Sequence, residues 1–351
     1  MIIDIPKPYL LFLGDVQDEL SAKTAFGIRD WRGEDCVGQL RLLSRGVDLG
    51  LPDLTPAEAR ARGARTMIIG VANSGGYIAE TWVGPLLAAV EAGLDIAAGM
   101  HQRLADIAAV AAAAGRAGVR LHDVRQPRGS FAVGTGRKRS GKRLLTVGTD
   151  CAVGKKYTAL AIDRELRHRG VASDFRATGQ TGLLISGRGI VIDAVVADFI
   201  AGAAEELSPA NNPDHWDVVE GQGSLLHPSY AGVTLGLIHG TQPDALVLCH
   251  DPLRRELDDM PGFPVPDVAE CAARHVEAAR LTNPGARYVG VSVNTSKMSR
   301  EAADECTRAI ALRMGVPCVD PIRDGIADIV GYLLGSDERQ STACGLTSRR
   351  K

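Results

Sequence analysis

The sequence predicts an α/β protein of two domains, each built on a parallel sheet. Three observations support this fold class. The chain has 351 residues, about twice the length of a typical domain. Short apolar runs alternate with helical stretches along most of the chain. Forty glycines beside only 4% aromatic residues suit the glycine turns found at strand ends in such folds.

Composition and charge exclude several classes of protein. With 45% hydrophobic and 23% charged residues, wholesale disorder is excluded. A formal net charge of −2 argues against a protein that binds nucleic acid through a global basic field. The seven cysteines are odd in number and form no CxxC pair, so we expect neither a disulfide framework nor a metal site.

The sequence also bears on location. The start, Met1–Lys7, lacks the basic and then apolar regions of a signal peptide. The apolar stretches Leu104–Ala114 and Ile190–Ala204 are interrupted by acids before they reach the ~20 residues of a membrane span. We therefore expect a soluble, cytoplasmic protein with a small-molecule substrate and no membrane or nucleic-acid partner.

The first domain is predicted over residues 1–128. The apolar patterns predict strands over Tyr9–Gly14, Thr66–Ala72 and Val119–Val124, and a helix over Gln102–Ala117. Parallel sheets bind ligands at the carboxyl ends of their strands, which makes Asn73–Gly76 either a ligand loop or a plain turn.

A basic linker is predicted over residues 129–142. Its composition changes abruptly, with seven cations and no acid between residues 125 and 143: Arg125, Arg128, Arg137, Lys138, Arg139, Lys142 and Arg143. Gly136–Lys142 has the G-x4-G-K spacing of a phosphate loop. A strand follows it, whereas a phosphate loop opens a helix, so we reject it.

The second domain is predicted over 143–335, followed by a polar tail over 336–351. Its candidate strands are Leu144–Val147, Val171–Arg176, Asp217–Val219, Ala245–Cys249, Tyr288–Val293 and Pro317–Val319.

The strongest motif is a glycine loop that joins Leu144–Val147 to a predicted helix over Lys155–Arg169. Gly148 and Gly154 would let backbone N–H groups curl around an anion, and Lys155 adds charge. Position 156 is Lys, where loops that hydrolyse ATP or GTP place a Ser or Thr on magnesium. Thr158 is offset by two residues and would point away. The loop is therefore predicted to bind phosphates rather than transfer them.

The loop resembles that of dethiobiotin synthetase. The match covers Gly148–Asp150 and Val153–Lys155, and two more segments follow in the same order, Asp217–Leu225 and Val289–Thr295. The resemblance implies a P-loop NTPase-like fold for residues 143–335. It also implies that Glu220 faces the loop and that Asn294 lies near a nucleotide base.

Nearly the whole chain resembles the DgcN family of D-glutamate N-acetyltransferases. The matching segments are Pro8–Asp15, Ala22–Ala25, Gly27–Arg32, Cys36–Gln39, Gly148–Tyr157, Phe175–Gly182 and Val219–Pro228. The resemblance implies a Rossmann-like first domain, a homo-oligomer, and acetyl transfer from acetyl-CoA to an acidic amino acid, D-glutamate in the family's case. The linker cations would then be either further phosphate partners or plain solvated residues.

Site residues follow from this combined interpretation. The cofactor-binding set is Gly148, Thr149, Asp150, Cys151, Ala152, Val153, Gly154, Lys155, Lys156, Tyr157 and Asn294. Acyl transfer needs a base, for which Glu220 is the first candidate and His227 the second. The substrate-binding set is Arg176, Thr178, Gln180, Asn73 and Ser74.

Alternatives remain open on the residues alone. The chain could be an ATP/Mg-dependent ligase or kinase of the dethiobiotin synthetase type, or a nucleotide-binding protein without catalysis. Cys151 could form an acyl-enzyme, because a helix N-terminus and a lysine favour a thiolate, or it could simply fit the loop.

Overall fold

The computed structural model describes residues 3–73, 75–126 and 130–335. The chain forms two compact units, Met1–Gly129 with Gly179–Ala194, and Ser130–Thr178 with Val195–Lys351. The predicted tail, Ser74 and Arg128 lie outside the described residues.

Both sheets are parallel throughout, as the alternation of strands and helices predicts. The first unit contributes β1 (Tyr9–Gly14), β2 (Cys36–Arg41), β3 (Thr66–Ile69), β4 (Asp95–Ala98) and β5 (Leu121–Asp123), in the order β2-β1-β3-β4-β5. The second contributes β6 (Lys142–Gly148), β7 (Ser173–Arg176), β8 (Trp216–Val219), β9 (Ala245–His250), β10 (Arg287–Val293) and β11 (Cys318–Val319), in the order β11-β10-β9-β6-β8-β7.

Helices connect most of the strands. They are α1 (Lys23–Arg32), α2 (Pro56–Ala61), α3 (Glu80–Glu91), α4 (Ala108–Ala117), α5 (Lys155–His168), α6 (Gln180–Ser186), α7 (Ile200–Leu207), α8 (Ala231–Thr241), α9 (Val268–Arg280) and α10 (Arg300–Met314). The predicted Gln102–Ala117 helix is shorter in the structure, since Leu104–Asp106 forms a separate 3₁₀ turn before α4 begins.

Residues 179–194 belong to the first unit, whereas the sequence predicted one continuous domain over 143–335. The reason lies in the contacts of α6. Thr181 Oγ1 lies 2.9 Å from Thr24 Oγ1 in a buried pair, and Arg32 Nε donates to the Ile185 carbonyl at 2.9 Å. These bonds tie α6 to α1.

The strand registers bring functional segments to one edge of each sheet. In the first unit, Phe12 pairs with Ile69, Ile69 with Ala98 and Ala98 with Asp123, so the strands end together. In the second unit, β6 lies between β8 and β9, which puts the loop after Gly148 between the segments that follow those two strands.

Three cations of the cluster between residues 125 and 143 contact oxygens of the second unit. Arg143 is fully buried and donates to the Pro209 carbonyl at 2.9 Å, among other carbonyls. Arg139 donates to the Ser208 and Gly240 carbonyls, both at 2.9 Å. Lys138 pairs with Asp244 at 2.9 Å. Arg139 and Arg143 therefore satisfy backbone oxygens of their own unit, and Lys138 pairs with one of its acids.

Candidate active site

The glycine loop joins β6 to α5, as predicted. Gly154 has φ +101° and Ala152 has φ +51°, so the backbone curls through left-handed conformations. A Cβ added to Gly148 would lie 2.8 Å from Val153 Cγ2 and 2.9 Å from the Asp150 carbonyl oxygen. The loop is therefore a tight backbone cradle that a side chain at position 148 would fill, and α5 begins directly behind it.

Two lysines stand at the start of α5. Lys155 is 7% exposed, and its ammonium donates to the Asp150 carbonyl at 2.7 Å. Burial lowers the pKa of Lys155. The Lys156 ammonium lies 5.0 Å from the centre of the Tyr157 ring. One cation therefore lies inside the loop and the other outside it.

The hydroxyl of Thr158 does not replace the missing magnesium ligand at position 156. The Thr158 hydroxyl is buried, donates to the Gly154 carbonyl at 3.1 Å and lies 2.8 Å from Ser292 Oγ. It therefore faces the core of the second unit, as its helical offset predicts.

Asp150 ties the loop to a segment distant in sequence. Its buried carboxylate accepts hydrogen bonds from Arg254 Nη1 and from the Asp258 backbone N–H, both at 2.8 Å. Arg254 Nη1 also donates to the Cys151 carbonyl at 2.8 Å. Asp150 thus supports the loop from behind. Arg254 was not predicted, because nothing local marks a residue about a hundred positions away as its partner.

His250 is a second residue that sequence reasoning missed. It ends β9, and its Nδ1 lies 3.0 Å from the Thr149 hydroxyl. Burial lowers the pKa of His250, which favours a neutral imidazole beside the loop. Its position in the sequence could have indicated a site residue, because His250 directly follows the predicted strand Ala245–Cys249 and ligands bind at the carboxyl ends of parallel strands.

Glu220 follows β8 and is 4% exposed. Its Oε2 accepts the Thr178 backbone N–H at 3.0 Å, and the Thr178 hydroxyl donates to the Glu220 carbonyl at 2.6 Å. A Cβ on Gly221 would lie 1.7 Å from the Thr146 carbonyl oxygen and 3.0 Å from Lys155 Cδ. The end of β8 is therefore packed against the loop lysine, and Thr178 holds Glu220 in place.

His227 lies beside the loop, with its Nε2 3.9 Å from Asp150 Oδ1. Both of its ring nitrogens are within hydrogen-bond distance of backbone groups. Nδ1 accepts the Ser229 backbone N–H at 3.1 Å, and Nε2 lies 3.2 Å from the Asp258 carbonyl oxygen. A carbonyl only accepts, so Nε2 carries the proton. The nitrogen of His227 that could accept a proton, Nδ1, therefore already accepts a backbone N–H.

Arg176, predicted to bind substrate, contacts two acids of the second sheet. Its Nη2 lies 2.7 Å from Asp217 and 3.2 Å from Asp174. The guanidinium therefore neutralises acids of its own sheet. Asn294 ends up exposed after β10, with its Oδ1 accepting the Ser296 N–H at 3.2 Å, and β9 separates that strand from β6.

Asn73 and Gln180, two of the predicted substrate ligands, lie in the first unit. Asn73 Nδ2 donates to the Tyr77 carbonyl at 3.0 Å. Asn73 Oδ1 and Gln180 Oε1 are buried and have no hydrogen-bond partner among the described residues. Thr178, by contrast, is in the second unit with Glu220.

Two clusters bring together groups that ligate metals. Asp150, Cys151 and His227 have ligand atoms within 4.8 Å of one another, and so do Asp174, His215 and Asp217. In each cluster an arginine already holds a carboxylate, Arg254 in the first and Arg176 in the second. A cation would have to displace these guanidinium groups, so we assign no metal to either cluster.

Comparisons with known proteins cover both units. Two family models match the chain, and both are described as domains of unknown function. The DUF1611_C P-loop domain matches residues 130–330, and the DUF1611_N Rossmann-like domain matches residues 35–127. The chain is similar to two curated proteins named D-glutamate N-acetyltransferase. One, from Tritonibacter scottomollicae, is 51% identical over 332 residues, covering 94% of this chain and 99% of the relative. The other, from a Pseudoalteromonas species, is 47% identical over 331 residues, covering 94% and 100%.

A solved structure supports the fold. The crystal structure of a DUF1611 family protein from Anabaena variabilis superimposes with a TM-score of 0.82 at 29% identity, covering 93% of this chain and 99% of that one. Among the residues that the structure describes, no helix is long and apolar enough to cross a membrane.

Proposed function

Because the chain belongs to the DUF1611 family, with a Rossmann-like and a P-loop domain, we propose that it transfers the acetyl group of acetyl-CoA to the amino group of D-glutamate. The observation that carries this proposal is the similarity, over 94% of the chain, to the two proteins named D-glutamate N-acetyltransferase.

The chemistry of the loop supports a phosphate-bearing acyl donor. Gly148 and Gly154 carry no side chain into the loop, and Lys155 brings a buried cation to it. Coenzyme A carries a pyrophosphate and a 3′-phosphate, which suit backbone N–H groups and lysines. None of its phosphates is transferred, so the Lys at position 156 and the inward-facing Thr158 hydroxyl are compatible with this ligand. They are poorly suited to a magnesium-dependent ligase or kinase.

Residues 148–157 would hold the phosphates, with Lys155 neutralising charge at the centre of the loop. Acetyl-CoA would supply the acetyl group as a thioester. The chain must provide a base for the proton of the acceptor amine. Glu220 is the base we propose, since it is a buried carboxylate at the loop whose position is held by Thr178. His227 has both nitrogens engaged and instead supports the segment around Asp258.

Ligand binding separates this proposal from its alternatives. In a thermal-shift titration with acetyl-CoA, CoA, ATP–Mg and ADP, we expect stabilisation by acetyl-CoA and CoA. Stabilisation by ATP–Mg without any response to CoA would contradict the proposal in favour of a ligase or kinase. No response to any of the four would favour a protein without this catalysis.

Turnover tests the substrate. Release of free thiol from acetyl-CoA is measured with D-glutamate and with L-glutamate, and the product is identified by mass spectrometry. We expect release with D-glutamate and formation of its N-acetyl derivative. Lys155→Met, which keeps much of the side-chain length without the charge, should weaken acetyl-CoA binding.

A further inference from the structure

Three of the buried side-chain polar atoms of the first unit that form no hydrogen bond among the described residues lie in loops or helix ends at one edge of its sheet. They are Asn73 Oδ1, Gln180 Oε1 and Arg125 Nε. Leaving such an atom unsatisfied costs about 1–3 kcal/mol. Buried polar groups in folded proteins are nearly always bonded, so a group of unpaired ones needs a ligand or an ordered water to explain it.

All three atoms belong to one edge of the first sheet. Asn73 follows β3, and Arg125 follows β5. Gln180 packs directly over Gly99, which follows β4, since a Cβ on Gly99 would lie 2.0 Å from Gln180 Oε1. Arg125 Nη1 donates to the Gly99 carbonyl at 3.2 Å. Gln180 and Arg125 therefore meet at the same glycine.

The loop that carries Asn73 packs against the segment after β4. The Gly76 N–H donates to the Asn73 carbonyl at 3.1 Å. A Cβ on Gly76 would lie 2.8 Å from the backbone nitrogen of His101. The loops after β3, β4 and β5 thus form one contiguous surface at the carboxyl edge, where parallel sheets bind their ligands.

The unpaired atoms have a definite chemistry. Asn73 and Gln180 each offer an amide oxygen, which accepts hydrogen bonds from an amino or ammonium group. Arg125 offers one N–H, which donates to a carboxylate, while its Nη2 is already paired with Asp193. Two acceptors beside one cationic donor match the amino and α-carboxylate groups of an amino acid.

We infer that Asn73, Gln180 and Arg125 form an amino-acid site in which the two amide oxygens bind the amino group of the acceptor and Arg125 binds its α-carboxylate. The inference rests on the proposed function, because it assigns the acceptor of that reaction to this edge of the first sheet.

The test measures what the amino group contributes to binding. The full chain, saturated with CoA, is titrated by calorimetry with D-glutamate and with glutarate, which has the same two carboxylates but no amino group. The wild type should prefer D-glutamate. Gln180→Met keeps the length of the side chain and removes the amide oxygen, so the preference should fall by about tenfold or more. Gln180→Glu, which keeps an acceptor oxygen, should retain it.

Two controls come from the same experiment. The affinity for glutarate should be nearly unchanged in Gln180→Met, and so should the affinity for CoA. Gly99→Ala provides a second route to the same result, because the new Cβ would meet Gln180 Oε1 at 2.0 Å and Gln180 Cβ at 2.7 Å. It should displace the Gln180 side chain and reduce the preference without changing residue 180.

The outcomes separate the inference from the proposed function. If the wild type acetylates D-glutamate but Gln180→Met keeps the full preference over glutarate, the amino-acid site is overturned and the proposed function stands. If the preference depends on Gln180 but no thiol is released from acetyl-CoA, the site stands and the proposed function fails.

Discussion

The Asp150–Arg254 pair makes a quantitative prediction about the phosphate-binding loop. Asp150 has a fully buried carboxylate, and the Arg254 side chain is 18% exposed. Arg254→Leu removes the guanidinium and leaves the carboxylate in place. Removing one partner of a buried ion pair costs about 3–5 kcal/mol, mainly because a charge is left buried without compensation.

The structure sets the expected loss at or below the lower limit of that range. Two backbone N–H groups, of Cys151 and Asp258, continue to donate to Asp150 in the variant. Water can also reach the space left by a partly exposed side chain. We therefore expect a loss of about 2–3 kcal/mol. In a unit of roughly 200 residues this lowers the melting temperature by about 4–12 °C.

The chain offers a matched control. Arg255 is exposed, and its side chain forms no hydrogen bond or ion pair among the described residues. Arg255→Leu removes the same charge one position away, so it should leave the melting temperature almost unchanged. Acetyl-CoA affinity should also fall in Arg254→Leu alone, because Arg254 holds the Cys151 carbonyl within the loop.

A double variant tests the physical cause. Arg254→Leu combined with Asp150→Asn removes both charges, so it should be less destabilised than Arg254→Leu alone. The reasoning is refuted if Arg254→Leu and Arg255→Leu have the same melting temperature, or if the double variant is no more stable than Arg254→Leu. Thermal unfolding and acetyl-CoA titration of the four proteins measure all of these quantities.

Three further predictions concern catalysis and pH. Glu220→Gln should lower kcat by about 10²-fold or more while acetyl-CoA affinity stays unchanged; a loss of affinity with kcat preserved would make Glu220 a support of the loop rather than the base. Mass spectrometry after incubation with acetyl-CoA alone should find no acetyl group on Cys151, since transfer to the amine is proposed to be direct; a labelled Cys151 would contradict this. Burial lowers the pKa of His275 to about 4, so the unfolded chain binds more protons below about pH 6.5. The free energy of unfolding should therefore fall as the pH is lowered from roughly 6.5 to 4. Urea unfolding across that range should show a shallower fall for His275→Leu than for the wild type.

Much of the fold was predictable because its signals are local. Tyr9–Gly14 and Leu144–Val147 are continuous apolar runs that end at glycines, and both strands are paired on both sides within their sheets. β2 and β4 were missed for an equally local reason. Cys36–Arg41 contains a glycine and no continuous apolar run, and Asp95–Ala98 is short and alanine-rich. Each of these strands forms backbone hydrogen bonds to a strand that has a clearer apolar pattern, β1 for β2 and β3 for β4. This pairing cannot be recognised from the residues of either segment alone.

Charge partners could not be predicted, because they depend on residues distant in the chain. Arg176 follows a predicted strand and was assigned to substrate, but its partner Asp217 lies on the neighbouring strand β8. Arg143 was placed at the end of an exposed linker, yet the carbonyls around Ser208 and Pro209 bury it completely. The sequence shows that a cation is present, and only the packing shows which oxygen it satisfies.

The segment Phe175–Gly182 shows how one motif can serve two purposes. In sequence, Thr178 and Gln180 are two positions apart, which led us to assign both to one substrate site. In the structure, the chain leaves the second unit after Thr178 and enters the first at Gly179. Thr178 holds Glu220 by two hydrogen bonds, and Gln180 packs over Gly99. The motif therefore marks the crossing between units. Thr178 positions Glu220, the base that we propose, and Gln180 belongs to the site that we propose for the amino group of the acceptor.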